Sequence, residues 1–178
     1  HNIQELNNQD KSKPHIGDLA SYVGFNLDKS CPIALRANWD YLLENPAAID
    51  LIKAYLDELL KTDPARIKWM CISMNPAAID ILSNNKKKIN WNRLSMNAAA
   101  IDLLSDNQDN INWNRLSMNT AAIDLLTANQ DKINWNRLST NPAAIDLLKA
   151  NPDKINWTQL LRNPKIHEVV EYLMNLDA

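Results

Sequence analysis

A single carboxylate returns at one place in every segment of this chain: Asp50, Asp80, Asp102, Asp124, Asp146 and Glu168. General acid and base catalysis needs neighbouring groups held in different environments, and a row of equivalent acids does not supply that asymmetry. The histidines, His1, His15 and His167, are widely separated and stand in no triad or ligand spacing. Cys31 and Cys71 lie outside any close-spaced metal or redox motif and read as small buried residues rather than as a disulfide. Gly17 and Gly24 are the only glycines, so residues 25–178 cannot form a glycine-rich phosphate cradle. These patterns predict a protein that is not an enzyme, with no catalytic residues, no metal ligands and no cofactor.

Two polar ladders remain as binding candidates. Asn92-Arg93, Asn114-Arg115 and Asn136-Arg137 recur at one register and would offer a partner a row of forked donors. The arginine place holds Tyr41, Cys71 and Gln159 in the other segments, which confines such a stripe to the middle of the chain. The acidic row reads as a solvated face, or as one paired with Arg93, Arg115 and Arg137, since exposed pairs contribute only about 0–1 kcal/mol each. Lys86-Lys87-Lys88 reads as a solvated link.

Positioning these residues requires a repeat. Tryptophan stands at 39, 69, 91, 113, 135 and 157, and six residues after each comes Asn45, Asn75, Asn97, Asn119, Asn141 or Asn163. From Trp69 onward the step is always 22 residues, whereas the first step, 39 to 69, is 30. Such self-similarity marks a solenoid whose units stack on their neighbours. Two short helices fit each unit. Asn90, Asn112, Asn134 and Asn156 stand where an N-cap would precede the tryptophan helix, which can be α or 3₁₀. Asn45, Asn75, Asn141 and Asn163 precede Pro46, Pro76, Pro142 and Pro164, the cap-then-proline order of a helix start, with Ala98 and Thr120 in place of proline in two copies. Asn85, Asn107, Asn129 and Asn151 take the place where a helix would end through a left-handed residue.

The second helix, for instance Ala99-Ala100-Ile101-Asp102-Leu103-Leu104, is apolar nearly all round and should be sandwiched between neighbours. The tryptophans are expected to be buried between units rather than to serve as stacking platforms. On that reading a Trp113→Ala change would cost roughly 3–5 kcal/mol, and loss of the Asn119 cap roughly 0.5–2 kcal/mol.

The pattern Trp-Asn-x-Leu-Ser-x-Asn-Pro-x-Ala-Ile-x-Leu-Leu resembles the arrays of predicted proteins of giant DNA viruses. It is also similar to the short two-helix repeats of the leucine-rich-repeat-variant type, in which an α-helix alternates with a 3₁₀ helix. The resemblance covers about residues 39–174 and is closest from Ile89 to Asn156. It implies a solenoid and a binding role and carries no functional residues across. A leucine-rich repeat proper is the alternative, with a strand starting at Ile89-x-Trp91. Its inward asparagine would then fall on Leu94, and proline with paired alanines favours helix.

The expected fold is therefore all-α: a right-handed α-solenoid of six two-helix repeats of about 22 residues with terminal caps. Residues 1–38 are expected to form a polar tail and an N-terminal cap, with a helix over 16–23, and residues 39–178 the array. A helical insertion falls at about 53–61, where Ile52, Leu56, Leu59 and Leu60 keep helical spacing. Lys165 and His167 replace apolar residues in the last unit, as a solvent-facing cap requires.

A net charge of −2 and a pI near 5.9 give no general attraction to nucleic acid or to an anionic membrane. No apolar run reaches the roughly 20 residues of a membrane span, and no signal peptide is visible, although the chain begins at His1 rather than at methionine. The expected role is a non-enzymatic, cytoplasmic protein-interaction scaffold with a protein partner. A single-stranded nucleic-acid-binding repeat protein and an architectural subunit of a viral particle are the alternatives, and the oligomeric state stays open.

Overall fold

The computed structural model describes residues 39–62 and 64–176. The expected tail and N-terminal cap, and Cys31 with them, lie outside the described residues. Two compact units divide at Lys68/Trp69, and every described regular element is helical. The leucine-rich alternative, which needs a strand at Ile89, is thereby removed for the described repeats.

In the first unit, α1 (Trp39–Glu44) leads through a 3₁₀ turn (Pro46–Ala48) into α2 (Ile49–Thr62). Asn45 caps the turn, its Oδ1 accepting from the Ala47 N–H at 3.0 Å. Helix α2 runs for 14 residues and buries Ile52, Leu56 and Leu59, an i, i+4, i+7 stripe, while Leu60 lies off that stripe and is exposed. An ion pair, Lys68 Nζ to Asp40 Oδ2 at 2.7 Å, links the end of the unit to α1.

In the second unit the 22-residue pattern becomes short helices joined by turns. The tryptophan helices are α3 (Trp69–Ile72), α5 (Trp91–Leu94), α7 (Trp113–Leu116), α9 (Trp135–Leu138) and α11 (Trp157–Leu160). Between them lie α4 (Ile79–Asn84), α6 (Ile101–Ser105), α8 (Ile123–Thr127) and α10 (Ile145–Lys149), and α12 (Ile166–Leu176) ends the described chain. The tryptophan helices are α-helical and begin at the expected caps: Asn90, Asn112, Asn134 and Asn156 accept through Oδ1 from the N–H three residues on, at 2.9–3.0 Å.

The second helix of each repeat differs from expectation at both ends. Its asparagine caps a turn, 3₁₀ at Pro76–Ala78 and Ala98–Ala100, and the α-helix begins only at the isoleucine that follows. Ala100, at φ −96° and ψ 10°, leaves the α basin and separates the two. At the far end no non-glycine residue has a positive φ among the described residues. Asn107 sits at φ −136°, ψ 46° and closes the helix with its side chain instead, Nδ2 donating to the Leu103 carbonyl at 2.7 Å. Asn85, Asn129 and Asn151 do the same to Ile81, Leu125 and Leu147. An amide donor satisfies the orphan carbonyl that a left-handed turn would otherwise serve.

Three apolar columns run through this unit at the repeat spacing. Leu82, Leu104, Leu126 and Leu148 are fully buried, as are Leu94, Leu116, Leu138 and Leu160, and Ala78, Ala100, Ala122 and Ala144. The small alanines let the backbone approach closely, and each buried leucine contributes about 1.5–3 kcal/mol.

The tryptophans do not belong to that core. Trp69, Trp91, Trp113 and Trp135 are partly buried and Trp157 is 53% exposed, so the expectation of burial between units holds in part for the first four and fails for the last. The leucine three residues on takes the fully buried place. A lysine from the link that closes the repeat lies over two of the rings: Lys132 Nζ is 4.8 Å from the Trp113 centroid and Lys154 Nζ 4.9 Å from that of Trp135.

Candidate functional site

The second unit carries two polar systems with different fates, one inside and one on its surface. The internal one explains the invariant asparagines. Asn97, Asn119, Asn141 and Asn163 are buried, and Oδ1 of each accepts the N–H two residues on. Nδ2 reaches back to the preceding repeat, where Asn141 donates to the carbonyls of Ser117 at 3.1 Å and Asn119 at 3.3 Å. Asn97, Asn119 and Asn163 make the same contact to Ser73, Ser95 and Ser139. One side chain thus caps its own turn and hydrogen-bonds its neighbour.

Serine supplies the second rung. Ser73, Ser95, Ser117 and Ser139 are fully buried. Each hydroxyl donates to the carbonyl of its tryptophan at 2.7–2.8 Å and accepts the N–H of the next repeat's cap asparagine at 3.0 Å. Among the described residues no buried side-chain nitrogen or oxygen lacks a partner. Leu161 takes the serine place in the last repeat and is 74% exposed. These serines recur every 22 residues in the sequence, a signal available there that the sequence reading did not use.

The surface system is the predicted stripe. Asn92, Asn114 and Asn136 are exposed, Arg93 and Arg115 half-buried and Arg137 exposed, and the five short helices from α3 to α11 carry no acidic residue. Asn112 Nδ2 donates to Asn92 Oδ1, and Asn156 Nδ2 to Asn136 Oδ1 at 2.8 Å, so two of the three stripe amides are oriented by the next repeat. The guanidinium Nη1 of Arg93, Arg115 and Arg137 lies against a thioether of the preceding repeat, Met74, Met96 or Met118, at 3.4, 3.0 and 3.8 Å. Sulfur is a weak acceptor, so this contact orients the arginines without neutralising them.

The acid–arginine pairing considered from sequence does not form. Asp80, Asp102, Asp124 and Asp146 are exposed, and the ion pairs among the described residues are Lys68–Asp40 and Lys165–Glu168. The carboxylates stand in the first turn of the second helices, whereas the arginines belong to the short ones. The acidic row is a solvated face.

Comparison with known proteins adds a family. The sequence model described as periplasmic copper-binding protein (NosD) matches residues 48–164, well over half of the chain; no curated protein and no solved structure matches it. Copper is not suited by the donors present. Among the described residues no three His, Cys, Asp or Glu side chains are gathered as ligands, and the sulfurs of Met74, Met96 and Met118 face guanidinium groups, whose charge opposes a metal cation. Nor is any described helix long and apolar enough to cross a membrane. By the extent of its sequence match the chain belongs to the NosD family, with a helical 22-residue repeat over most of the matched region and no copper-ligand set among its described residues.

Proposed function

We propose that this protein is a non-enzymatic scaffold that binds another protein through the outer face of its short helices. The observation that supports this reading is the division of the polar groups. The buried asparagines and serines are consumed in joining one repeat to the next, while Asn92, Arg93, Asn114, Arg115, Asn136 and Arg137 repeat on the surface with no carboxylate on them. The resemblance to the repeat arrays of giant DNA viruses and to leucine-rich-repeat variants belongs to the same reading, since the shared residues are those that build the stack. The NosD description names the periplasm, whereas the expectation from sequence is the cytoplasm. Binding through this stripe requires neither a metal nor a thiol and works in either compartment.

Nucleic acid is the weaker reading. Bases stack on open aromatic faces; lysines lie over Trp113 and Trp135, and the exposed Trp157 belongs to the repeat in which Gln159 takes the arginine place. The test is affinity capture with the intact chain beside its R93E/R115E/R137E variant. The expected result is a protein partner retained by the parent and lost by the variant. Single-stranded oligonucleotides are expected to bind no more tightly than the roughly 10⁻⁴–10⁻⁶ M of non-specific association at physiological salt. A partner held equally by both proteins, or sub-micromolar, salt-sensitive oligonucleotide binding abolished by the triple change, would overturn the proposal.

A further inference from the structure

The stripe carries enough chemistry to name the kind of segment it fits. Arg93, Arg115 and Arg137 each spend one weak contact on a thioether and make no ion pair among the described residues. A guanidinium has five N–H donors in a fixed fork that matches a carboxylate. Asp109 and Asp131, in the turns that precede the helices of Arg115 and Arg137, are exposed and pair with none of the three arginines. The Oδ1 atoms of Asn92 and Asn136 are already occupied by the next repeat, which leaves their Nδ2 donors for a partner. The row is therefore one of donors with positive charge, and what complements it is a chain of acceptors with negative charge.

Spacing selects the conformation of that chain. Packed helix layers lie roughly 8–10 Å apart, so successive arginines present their forks at about that interval. A fully extended β-strand turns alternate side chains to opposite faces, and its third residue points away. A polyproline II chain has three residues per turn and a rise of about 3.1 Å per residue, which places every third side chain on one face about 9.3 Å apart. Its backbone carbonyls have no internal hydrogen bonds and are open to amide donors.

We infer that the stripe binds an acidic segment in the polyproline II conformation with carboxylates at every third residue, one on each of Arg93, Arg115 and Arg137, its backbone carbonyls meeting Asn92, Asn114 and Asn136. This inference rests on the scaffold reading and deepens it.

The probe is a fluorescein-labelled peptide with the sequence Glu-Pro-Pro repeated three times, titrated against the full chain by anisotropy. Controls are the Gln-Pro-Pro trimer, an isomer with three adjacent glutamates followed by six prolines, and a twelve-nucleotide oligothymidine. The expected result is saturable binding to the parent that weakens at least about tenfold with the glutamine peptide, the scale of three charge pairs, and falls by a similar factor for R93E/R115E/R137E. Weaker binding of the isomer is expected as well. The charge-neutral R93Q/R115Q/R137Q variant, with its helical spectrum checked, repeats the test without reversing the charge.

Equal binding of the glutamate and glutamine peptides, binding indifferent to both triple variants, equal binding of the isomer, or tighter binding of the oligothymidine would each overturn the inference. The two readings fail separately. If the peptide does not bind while affinity capture still yields a protein partner lost by R93E/R115E/R137E, the scaffold stands and the acidic segment falls. If capture shows no partner dependent on the arginines, the scaffold reading itself falls.

Discussion

Asn141→Ala is expected to destabilise the array by about 2–4 kcal/mol, beyond what a helix cap alone contributes. Removal of the amide takes Oδ1 from the Ala143 N–H, a capping loss of about 0.5–2 kcal/mol. It also takes a donor from two carbonyls of the preceding repeat. The Asn119 carbonyl keeps the Ala122 N–H, so the Ser117 carbonyl bears most of the penalty, about 1–3 kcal/mol for a buried group left unsatisfied. Urea denaturation of parent and variant measures the difference. A loss under about 1 kcal/mol would mean that the asparagine caps its turn and does little between repeats.

The second large effect separates the true core from the residues that dominate the sequence by eye. Leu126 is fully buried, and Leu126→Ala should cost about 2–5 kcal/mol through lost transfer energy and the cavity left behind. Trp113 is partly buried under Lys132, so Trp113→Ala should cost about 2–3 kcal/mol, less than the roughly 3–5 kcal/mol of a fully buried ring. The order of the two denaturation midpoints decides the matter, and a tryptophan variant weaker than the leucine variant would return the indole to the core.

The contrast shows what was legible in the residues alone. The 22-residue period, the helical class and the caps at Asn90, Asn112, Asn134 and Asn156 follow from spacing and from local chemistry, which act within a few residues. The roles of Asn97, Asn119 and Asn141 were only half visible. Their capping bonds reach two residues along the chain, but their amide donors reach 22 and 24 residues back, and no local rule encodes that distance. Ser73, Ser95, Ser117 and Ser139 were missed for the same reason. Burial of the tryptophans was expected from their place three residues before a core leucine, but Leu94, Leu116 and Leu138 hold the inner position themselves and leave the indoles only partly buried.

At the candidate site the sequence identified the stripe and its ends at Cys71 and Gln159. It could not identify the thioethers that meet its arginines. Met74, Met96 and Met118 also recur every 22 residues, but their contact with an arginine 19 residues later depends on how one repeat sits on the next. The acid–arginine pairing failed on the same geometry, because the two ladders belong to different helices of the repeat.

The central claim is that two polar systems share the repeat, one holding it together and the other left for a partner. The most direct test is the urea unfolding midpoint of R93E/R115E/R137E beside those of the parent and Asn141→Ala. Surface substitutions away from structural features change stability by about 0.5 kcal/mol or less each, so the triple variant should lose no more than about 1.5 kcal/mol in total and unfold close to the parent, well after Asn141→Ala. Unfolding as early as the asparagine variant would contradict the account, because the arginine row would then be part of what holds the repeats together.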